Sequence, residues 1–453
     1  MNRIRINTLL LLLCIFLPGV AQNVSDGWNK NRTARLTKPV FVYNNWSAYD
    51  ELSDNIPLDE ALAMKELDHI VRLKKLGVQV DYYMMDAFWF DVNEGYRKWR
   101  PDCWPEGPKR WLDACKREGI KPGLWFSTNL LRIGGEANTM RIIPEWESSV
   151  AEDGTTLCLF RGGYLHHLMQ TLQMYVDMGI KMFKFDFAYF DAATPDAKCT
   201  MLPTDIEEQN KNAFISAIKE FRYRNPDVLF IGYNGFGGDM ENTVTPFRKT
   251  VDLRWLEIFD TMYCGDPRLS DVPMMNFWRS QDLYSDHMTF QYLFNGVPVR
   301  RIDNCAFMIG TTGTCYNRAL NAWKGMMILT MARGGWLNVC HGNIDLLSDD
   351  DARWMAKVQQ LYMKVQQYGS ISAFGAIPGK ALPYGYMASA EGGNLYTVVN
   401  ASQEKAKVML PEATGTGRVL FTDSGFMPVL EKNIVELGPE QMLSLIHISE
   451  PTR

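Results

Sequence analysis

The first half of the chain repeats one pattern, an amphipathic helix followed by a turn and a short apolar strand. Apolar residues recur at helical spacing from 58 to 76, and an apolar strand is predicted from 78 to 90, after the turn at Gly77. The same order predicts further helices at 108–118, at 165–178 and in the segment ending at 224. The matching strands are predicted at 120–126, 180–187 and 228–233, after a first strand at 40–43.

The predicted strands are nearly continuous apolar runs, which is typical of a parallel sheet buried on both faces. Such a series fits a (β/α)8 barrel or a doubly wound sheet. A doubly wound sheet is expected to carry a glycine-rich phosphate loop after its first strand, and this sequence has none. Polar residues instead recur where the strands end, and in a barrel these ends converge on one mouth. The residues are Asn45, Asp86, Ser127, Asp186 and Asn234.

The pattern becomes less regular in the second half and then changes type. Further units at 261–266, 276–282, 301–310 and 336–341 complete the prediction of a (β/α)8 TIM barrel over residues 38–368. From 371 onward, short alternating strands are predicted at 395–399, 407–410, 418–421 and 435–437. We therefore expect a C-terminal antiparallel β-sandwich domain over residues 369–442.

Both ends of the sequence carry segments that we exclude from the folded core. Residues 1–21 combine a basic start, an apolar run and the small residues Gly19 and Ala21, which predicts a cleaved secretory signal and an exported protein. Residues 22–37 are predicted to be a linker. Residues 443–453 resemble a translated sequencing adapter, so we predict a non-native tail that replaces a longer natural C-terminus.

Composition narrows the classes of partner. The formal net charge of −5 argues against nucleic acid binding, and no later apolar run is long enough to span a membrane. No His/Cys cluster has the spacing of metal ligands, so neither a metal nor another cofactor is predicted. Cys14 would leave with the signal, and the remaining eight of nine cysteines include the near pairs Cys103/Cys115 and Cys305/Cys315. Their disulfide connectivity stays open.

The segment from 180 to 187 carries the strongest chemical signal. Strand alternation places Lys184 and Asp186 on one face and Phe183, Phe185 and Phe187 on the other. In a barrel, the aromatic face would meet the helices, and the charged face would line the lumen. A lysine beside a carboxylate favours its ionised form, which suits a nucleophile. A buried structural ion pair explains the same two residues equally well.

Several segments in this order resemble the clan D glycoside hydrolases, the melibiase-type α-galactosidases. Lys184-Phe185-Asp186 is similar to the nucleophile motif of that clan, and the resemblance extends over about residues 38–365. The other similar segments are Val42–Trp46, Met85–Trp89, Trp99–Gly107, Gly119–Trp125 and Leu346–Asp350. The resemblance implies a TIM barrel, a carbohydrate substrate and a retaining double displacement in which Asp186 is the nucleophile.

The resemblance implies a second carboxylate, which acts as acid/base. The segment Phe277–Asp282 resembles the acid/base segment of the clan and assigns this role to Asp282, with Arg279 as a further substrate contact. In another register Gln281 takes the place of the acid, and the acid is lost. Asp282 is also suited to capping a helix start. Asp266 is the reserve candidate, although Asp266-Pro267 is also a plain turn signal.

The expected substrate contacts depart from the clan in one respect. The clan has two adjacent aspartates after its second strand, whereas here Asp86 is followed by Ala87, so a glycoside is implied but galactose is not. Aromatic side chains at strand ends are expected to stack on sugar rings. The predicted substrate-binding residues are Asp86, Trp46, Trp89, Trp125, Lys184, Asn234, Trp278 and Arg279.

Two other functions remain open on the sequence. A transglycosylase on the same fold would use the same catalytic residues and differ in excluding water. A catalytically silent carbohydrate-binding protein is favoured if Gln281 stands in the place of the acid.

Overall fold

A computed structural model shows a closed eight-stranded parallel barrel followed by an antiparallel β region, which confirms the predicted fold class. It describes residues 35–46, 58–133, 138–236, 251–264, 277–309, 323–390, 392–413, 417–423 and 425–448. The predicted signal, residues 1–21, and most of the predicted linker lie outside these ranges. The barrel strands, each paired with the next, are β1 Val40–Asn44, β2 Tyr82–Met85, β3 Lys121–Ser127, β4 Met182–Asp186, β5 Leu229–Gly232, β6 Thr261–Tyr263, β7 Ile302–Ile309 and β8 Leu337–Gly342.

Helices follow the barrel strands at the positions that the periodicity predicted in the first half. The helices are α1 Glu60–Lys75, α2 Lys109–Arg117, α3 Tyr164–Met178, α4 Pro195–Thr200, α5 Pro203–Arg224, α6 Phe277–Leu283, α7 Ser285–Phe294, α8 Trp323–Ala332 and α9 Asp349–Tyr368. The less regular unit predicted at 276–282 contains no barrel strand, because its described residues form helix α6. Its buried residues Trp278, Gln281 and Asp282 share one helical face, a spacing that a short window does not separate from a strand.

The barrel strands alternate between a lumen and an outer layer. Val42, Met84 and Met182 pack together inside the barrel, and Lys184 and Asp186 have the same strand parity as Met182. On the opposite face, the Phe183 ring contacts Phe221 of α5, and Phe185 contacts Phe214 of the same helix. The predicted separation of the two faces of β4 is therefore confirmed.

Two antiparallel sheets follow α9 and pack around a shared apolar core. The strands are β9 Ser370–Gly375, β10 Tyr384–Ala390, β11 Gly393–Val399, β12 Ala406–Met409, β13 Gly417–Thr422, β14 Val429–Glu431, β15 Ile434–Leu437 and β16 Met442–Ile448. The five-stranded sheet has the order β13-β16-β11-β10-β9, and the smaller sheet has the order β12-β15-β14. The segment predicted as a non-native tail thus supplies strand β16 through residue 448, with Leu443 and Leu445 in the core of the β region and Ile446 packed against the barrel core. Its origin stays a prediction.

A buried charged cluster joins the barrel to the β region. Asp286 of α7 accepts hydrogen bonds from the Arg333 guanidinium and from the hydroxyls of Tyr384 and Tyr386 on β10, each at 2.6 Å. All four side chains are buried. Because a buried charge needs such partners, this cluster fixes how the β region meets α7 and α8.

Candidate active site

Asp186 stands at the carboxyl end of β4, at the mouth of the barrel. Its Oδ1 atom accepts hydrogen bonds from the backbone N–H of Phe187 at 2.9 Å and from the backbone and side-chain nitrogens of Asn234 at 3.1 and 2.9 Å. Its Oδ2 atom accepts only from the indole N–H of Trp125, at 3.2 Å, among the residues that the structure describes. Oδ1 is therefore held in place, and Oδ2 keeps a lone pair that can react.

Lys184 of β4 and Asp86, which directly follows β2, form an ion pair inside the lumen, across the intervening strand β3. The Lys184 Nζ atom lies 2.7 Å from Asp86 Oδ2, and both side chains are almost completely buried. The ammonium also lies 4.1 Å from the centre of the Tyr233 ring, a cation–π distance. Asp86 and Lys184 are therefore arranged as a fixed pair of opposite charges, with Asp186 two positions further along the same strand.

The pKa of Asp186 is raised above its usual value, mainly because burial penalises the charged form. The positive charge of Lys184 and the hydrogen bonds from Asn234 and Trp125 oppose this effect without overcoming it. Lys184 thus lowers the pKa of Asp186, as predicted, but burial raises that pKa by more. An aspartate with a raised pKa is a stronger base and nucleophile once it is ionised.

The turns that follow Asp86 and Asp186 are both strained. Phe88 has a φ of 72° and Phe187 a φ of 48°, in the left-handed region that bulky residues rarely occupy. Such strain persists only where surrounding contacts impose it, and it clusters at functional sites. Both turns lie at the barrel mouth, where catalytic residues of barrel enzymes are found.

Three of the four predicted stacking tryptophans are buried and contact protein groups in the structure. Trp89 is fully buried among aromatic rings of the outer layer, and its indole donates to the Trp125 carbonyl. Trp125 is 1% exposed and supports Asp186 through its N–H, and Trp278 donates to Asp423 of the β region at 2.7 Å. Their burial argues against the predicted stacking role, which stays a prediction. Trp46 is half-buried, and its ring meets His341 edge-on at 5.6 Å.

The placement of Asp282 argues against the acid/base role predicted for it. Its carboxylate is fully buried and accepts hydrogen bonds from the backbone N–H groups of Gly379 and Ala381, at 2.6 and 3.0 Å. These residues belong to the loop between β9 and β10. A general acid must reach the leaving oxygen of its substrate, whereas Asp282 faces the β region and holds its loop.

Two further predicted site residues fall outside the description of the structure. Asp266, the reserve acid/base, lies outside the described residues, and so does the side chain of Arg279.

In the part of the chain that the structure describes, no group of three or more histidine, cysteine, aspartate or glutamate residues is arranged to hold a metal ion. Cys103 and Cys115 are both buried free thiols rather than a disulfide. None of the described helices has the length and apolar character needed to cross a membrane.

Sequence reasoning missed Glu66, His341 and Tyr233. Glu66 is a fully buried carboxyl behind the mouth. The sequence pattern that could have indicated it is an acidic residue within the apolar stripe of α1, between Ala63 and Ile70. His341 and Tyr233 stand at strand ends, where other polar residues had been noted. The pKa of His341 is lowered to about 3 by burial and by the charge of Lys184, so its imidazole is neutral.

Comparisons with known proteins are consistent with this geometry. No family model matches the chain. The α-galactosidase Mel36A of Lactobacillus acidophilus is 26% identical over 220 residues, which is 44% of this chain and 28% of that protein. The galactosidase domain of an α-galactosidase–sucrose kinase superposes with a TM-score of 0.65 at 14% identity, and the α-galactosidase of Lactobacillus brevis with 0.64 at 13%. These matches cover 95% and 96% of this chain and 58% of each structure.

The chain therefore shares the fold of these α-galactosidases and spans little more than a quarter of the length of the curated relative. The resemblance that the motifs indicated is confirmed at the level of fold.

Proposed function

We propose that this protein is a glycoside hydrolase related to the α-galactosidases, which cleaves terminal glycosidic bonds with retention of configuration. The observation that carries the proposal is Asp186 at the barrel mouth, with Oδ1 held by Asn234 and Phe187 and with a reactive lone pair on Oδ2. The fully buried Lys184–Asp86 pair beside it supplies a fixed polar wall for sugar hydroxyls.

The proposed reaction is a double displacement. Asp186 Oδ2 attacks the anomeric carbon, the glycosidic C–O bond breaks, and a second carboxylic acid donates its proton to the leaving oxygen. Water then attacks the glycosyl-enzyme ester while the second carboxylate accepts its proton, and Asp186 is released. With Asp282 occupied by the β9–β10 loop, we assign the second carboxyl to Asp266, which follows β6 in the sequence.

Further parts of the proposal concern substrate contacts and location. Because Trp89, Trp125 and Trp278 pack against protein groups, we propose Asp86, Trp46 and Asn234 as the sugar contacts. Residues 1–21, outside the described part of the chain, support export from the cell.

A screen of nitrophenyl glycosides tests the proposed function directly. We expect turnover of an α-glycoside, with α-galactoside as the first candidate, and an initial product of unchanged anomeric configuration by NMR. Inverted initial product would contradict the retaining mechanism. Transfer to an added acceptor sugar in place of hydrolysis would indicate a transglycosylase.

A catalytically silent carbohydrate-binding protein is the second candidate function. The burial of Asp282 favours it, since the residue that the motif offered as acid holds a loop instead. An activated fluoro-glycoside separates the two, because it labels a nucleophile without needing the acid. Covalent labelling of Asp186 supports the hydrolase, and binding without labelling supports the silent protein.

Replacing Lys184 tests the electrostatics of the nucleophile. Because Lys184 lowers the pKa of Asp186, Lys184→Met is expected to raise that pKa further. Activity requires ionised Asp186, so the acidic limb of the kcat/KM profile should move to higher pH, by about one unit. Lys184→Arg keeps the charge and serves as the control, with its limb near the wild-type position. An unchanged limb in Lys184→Met would show that Lys184 does not influence the nucleophile.

A further inference from the structure

A buried carboxyl, Glu66, lies behind the barrel mouth where the ends of β1 and β2 meet α1. It is fully buried, and the hydroxyl of Tyr83 donates to its Oε2 atom. The Tyr43 hydroxyl lies 3.2 Å from Oε1 and 3.0 Å from the Gly342 carbonyl. The Asn45 side-chain nitrogen lies 3.4 Å from Oε2 and 3.2 Å from the Met85 sulfur. A buried carboxyl on the apolar face of a helix is costly unless it is hydrogen-bonded, so the position of Glu66 beside the Tyr83 hydroxyl and the Asn45 amide calls for a reason beyond packing.

Asn45 connects Glu66 to the sugar-binding side of the mouth. Its Oδ1 atom accepts the backbone N–H of Asp86 at 2.8 Å, while its amide nitrogen points to Glu66. An amide has its acceptor and its donors on opposite ends, so a carboxylate at Glu66 and the backbone N–H of Asp86 favour the same orientation, with Oδ1 toward Asp86. The carboxylate of Asp86 in turn pairs with Lys184.

We propose that Glu66 is a positioning residue, whose carboxylate orients the Asn45 amide and thereby holds the Asp86 segment in the geometry that binds the sugar. This proposal rests on the proposed function, because that function identifies the ligand as a sugar. Glu66 itself does not touch the mouth, and it acts on Asp86 only through Asn45.

Protonation of Glu66 falls in the physiological range. Burial raises its pKa to about 7, and the charge of Asp345 adds to this rise. Hydrogen bonds from Tyr83, Asn45 and Tyr43 lower the pKa but do not cancel the effect of burial. These groups come from β1, β2 and the segment after β8. A neutral carboxylic acid is a weaker acceptor than a carboxylate, so its hold on Asn45 weakens as pH falls. Sugar affinity is therefore expected to rise as pH increases through about 7.

Calorimetric titration with galactose across this pH range measures the effect. In Glu66→Gln, which cannot ionise, affinity should be about fivefold lower than wild type at about pH 8 and nearly equal at about pH 6. Asp68→Asn, an exposed carboxyl on the same helix, is the matched control and should keep the wild-type profile. In an Asn45→Ala background, Glu66→Gln should change affinity less than twofold. An equal loss with and without Asn45, or a wild-type pH profile in Glu66→Gln, would overturn the proposal.

Infrared difference spectroscopy keeps the link testable without any sugar. A protonated carboxyl band that titrates near neutral pH should be present in wild type and absent in Glu66→Gln. Asn45→Ala removes a donor to Glu66, so the band should then titrate at higher pH. A band unaffected by Asn45→Ala contradicts the positioning link. Failure of the wild type to bind any glycoside, with this shift intact, would instead contradict the proposed function.

Discussion

Replacing Asp186 with alanine is expected to lower kcat on a nitrophenyl glycoside by roughly 10⁴-fold or more, because the glycosyl-enzyme ester can no longer form. Azide or formate should restore part of this activity, since the shortened side chain leaves room for a small anion beside the anomeric carbon. The product of the azide reaction should have the configuration opposite to that of the substrate. Steady-state kinetics and NMR of the product measure both effects.

The same substitution should cost little stability. Burial raises the pKa of Asp186, so the folded protein holds this carboxylate at an energetic disadvantage at neutral pH. Its removal relieves that cost while leaving the donors of Trp125 and Asn234 without their acceptor. Asp186→Asn is the control, since it keeps the shape and lacks the nucleophile, and it should be inactive and not rescued. Near-normal activity in Asp186→Ala would remove Asp186 from the mechanism.

Two aspartates should respond to substitution in different ways, and the difference identifies the acid. Asp266→Ala is expected to lower turnover of substrates with poor leaving groups by about 10²–10⁴-fold and to spare dinitrophenyl glycosides, which leave without a proton. Its pH–rate profile should also lose the basic limb. Paired kinetics on the two leaving groups measure this dependence.

Asp282→Ala should instead destabilise the protein. It leaves the N–H groups of Gly379 and Ala381 without acceptors in a buried interface, which is expected to cost about 2–4 kcal/mol of unfolding free energy. Its kcat should stay near wild type in the folded fraction, with no dependence on leaving group. Denaturant unfolding checks the first expectation. A leaving-group dependence in Asp282→Ala and none in Asp266→Ala would return the acid role to Asp282.

The barrel could be predicted from the sequence because its signals are local. Helical periodicity, turn glycines and short apolar runs lie within about 20 residues of one another. They place four of the first five strands within two residues of their observed bounds, whereas the strand predicted at 78–90 is confined to Tyr82–Met85. The alternation in β4 likewise assigns Lys184 and Asp186 to the lumen and Phe183 and Phe185 to the helices. Period two is a property of the extended backbone, so it needs no knowledge of the neighbours.

The roles of the aromatic and acidic residues depended on contacts between distant parts of the chain. Trp278 donates a hydrogen bond to Asp423, 145 residues later in the sequence, and Asp282 accepts one from Gly379, 97 residues later. No local sequence pattern therefore distinguishes these two residues from residues at the mouth. Trp89 is an aromatic residue at a strand end, as expected of a residue that stacks on a sugar. It directly follows the strained turn at Phe88, however, and its side chain is buried in the outer layer. Sequence alone determined the barrel and the carboxylate at the end of β4. Only the tertiary structure decided which other side chains share its mouth, because that choice is made by packing between residues far apart in the chain.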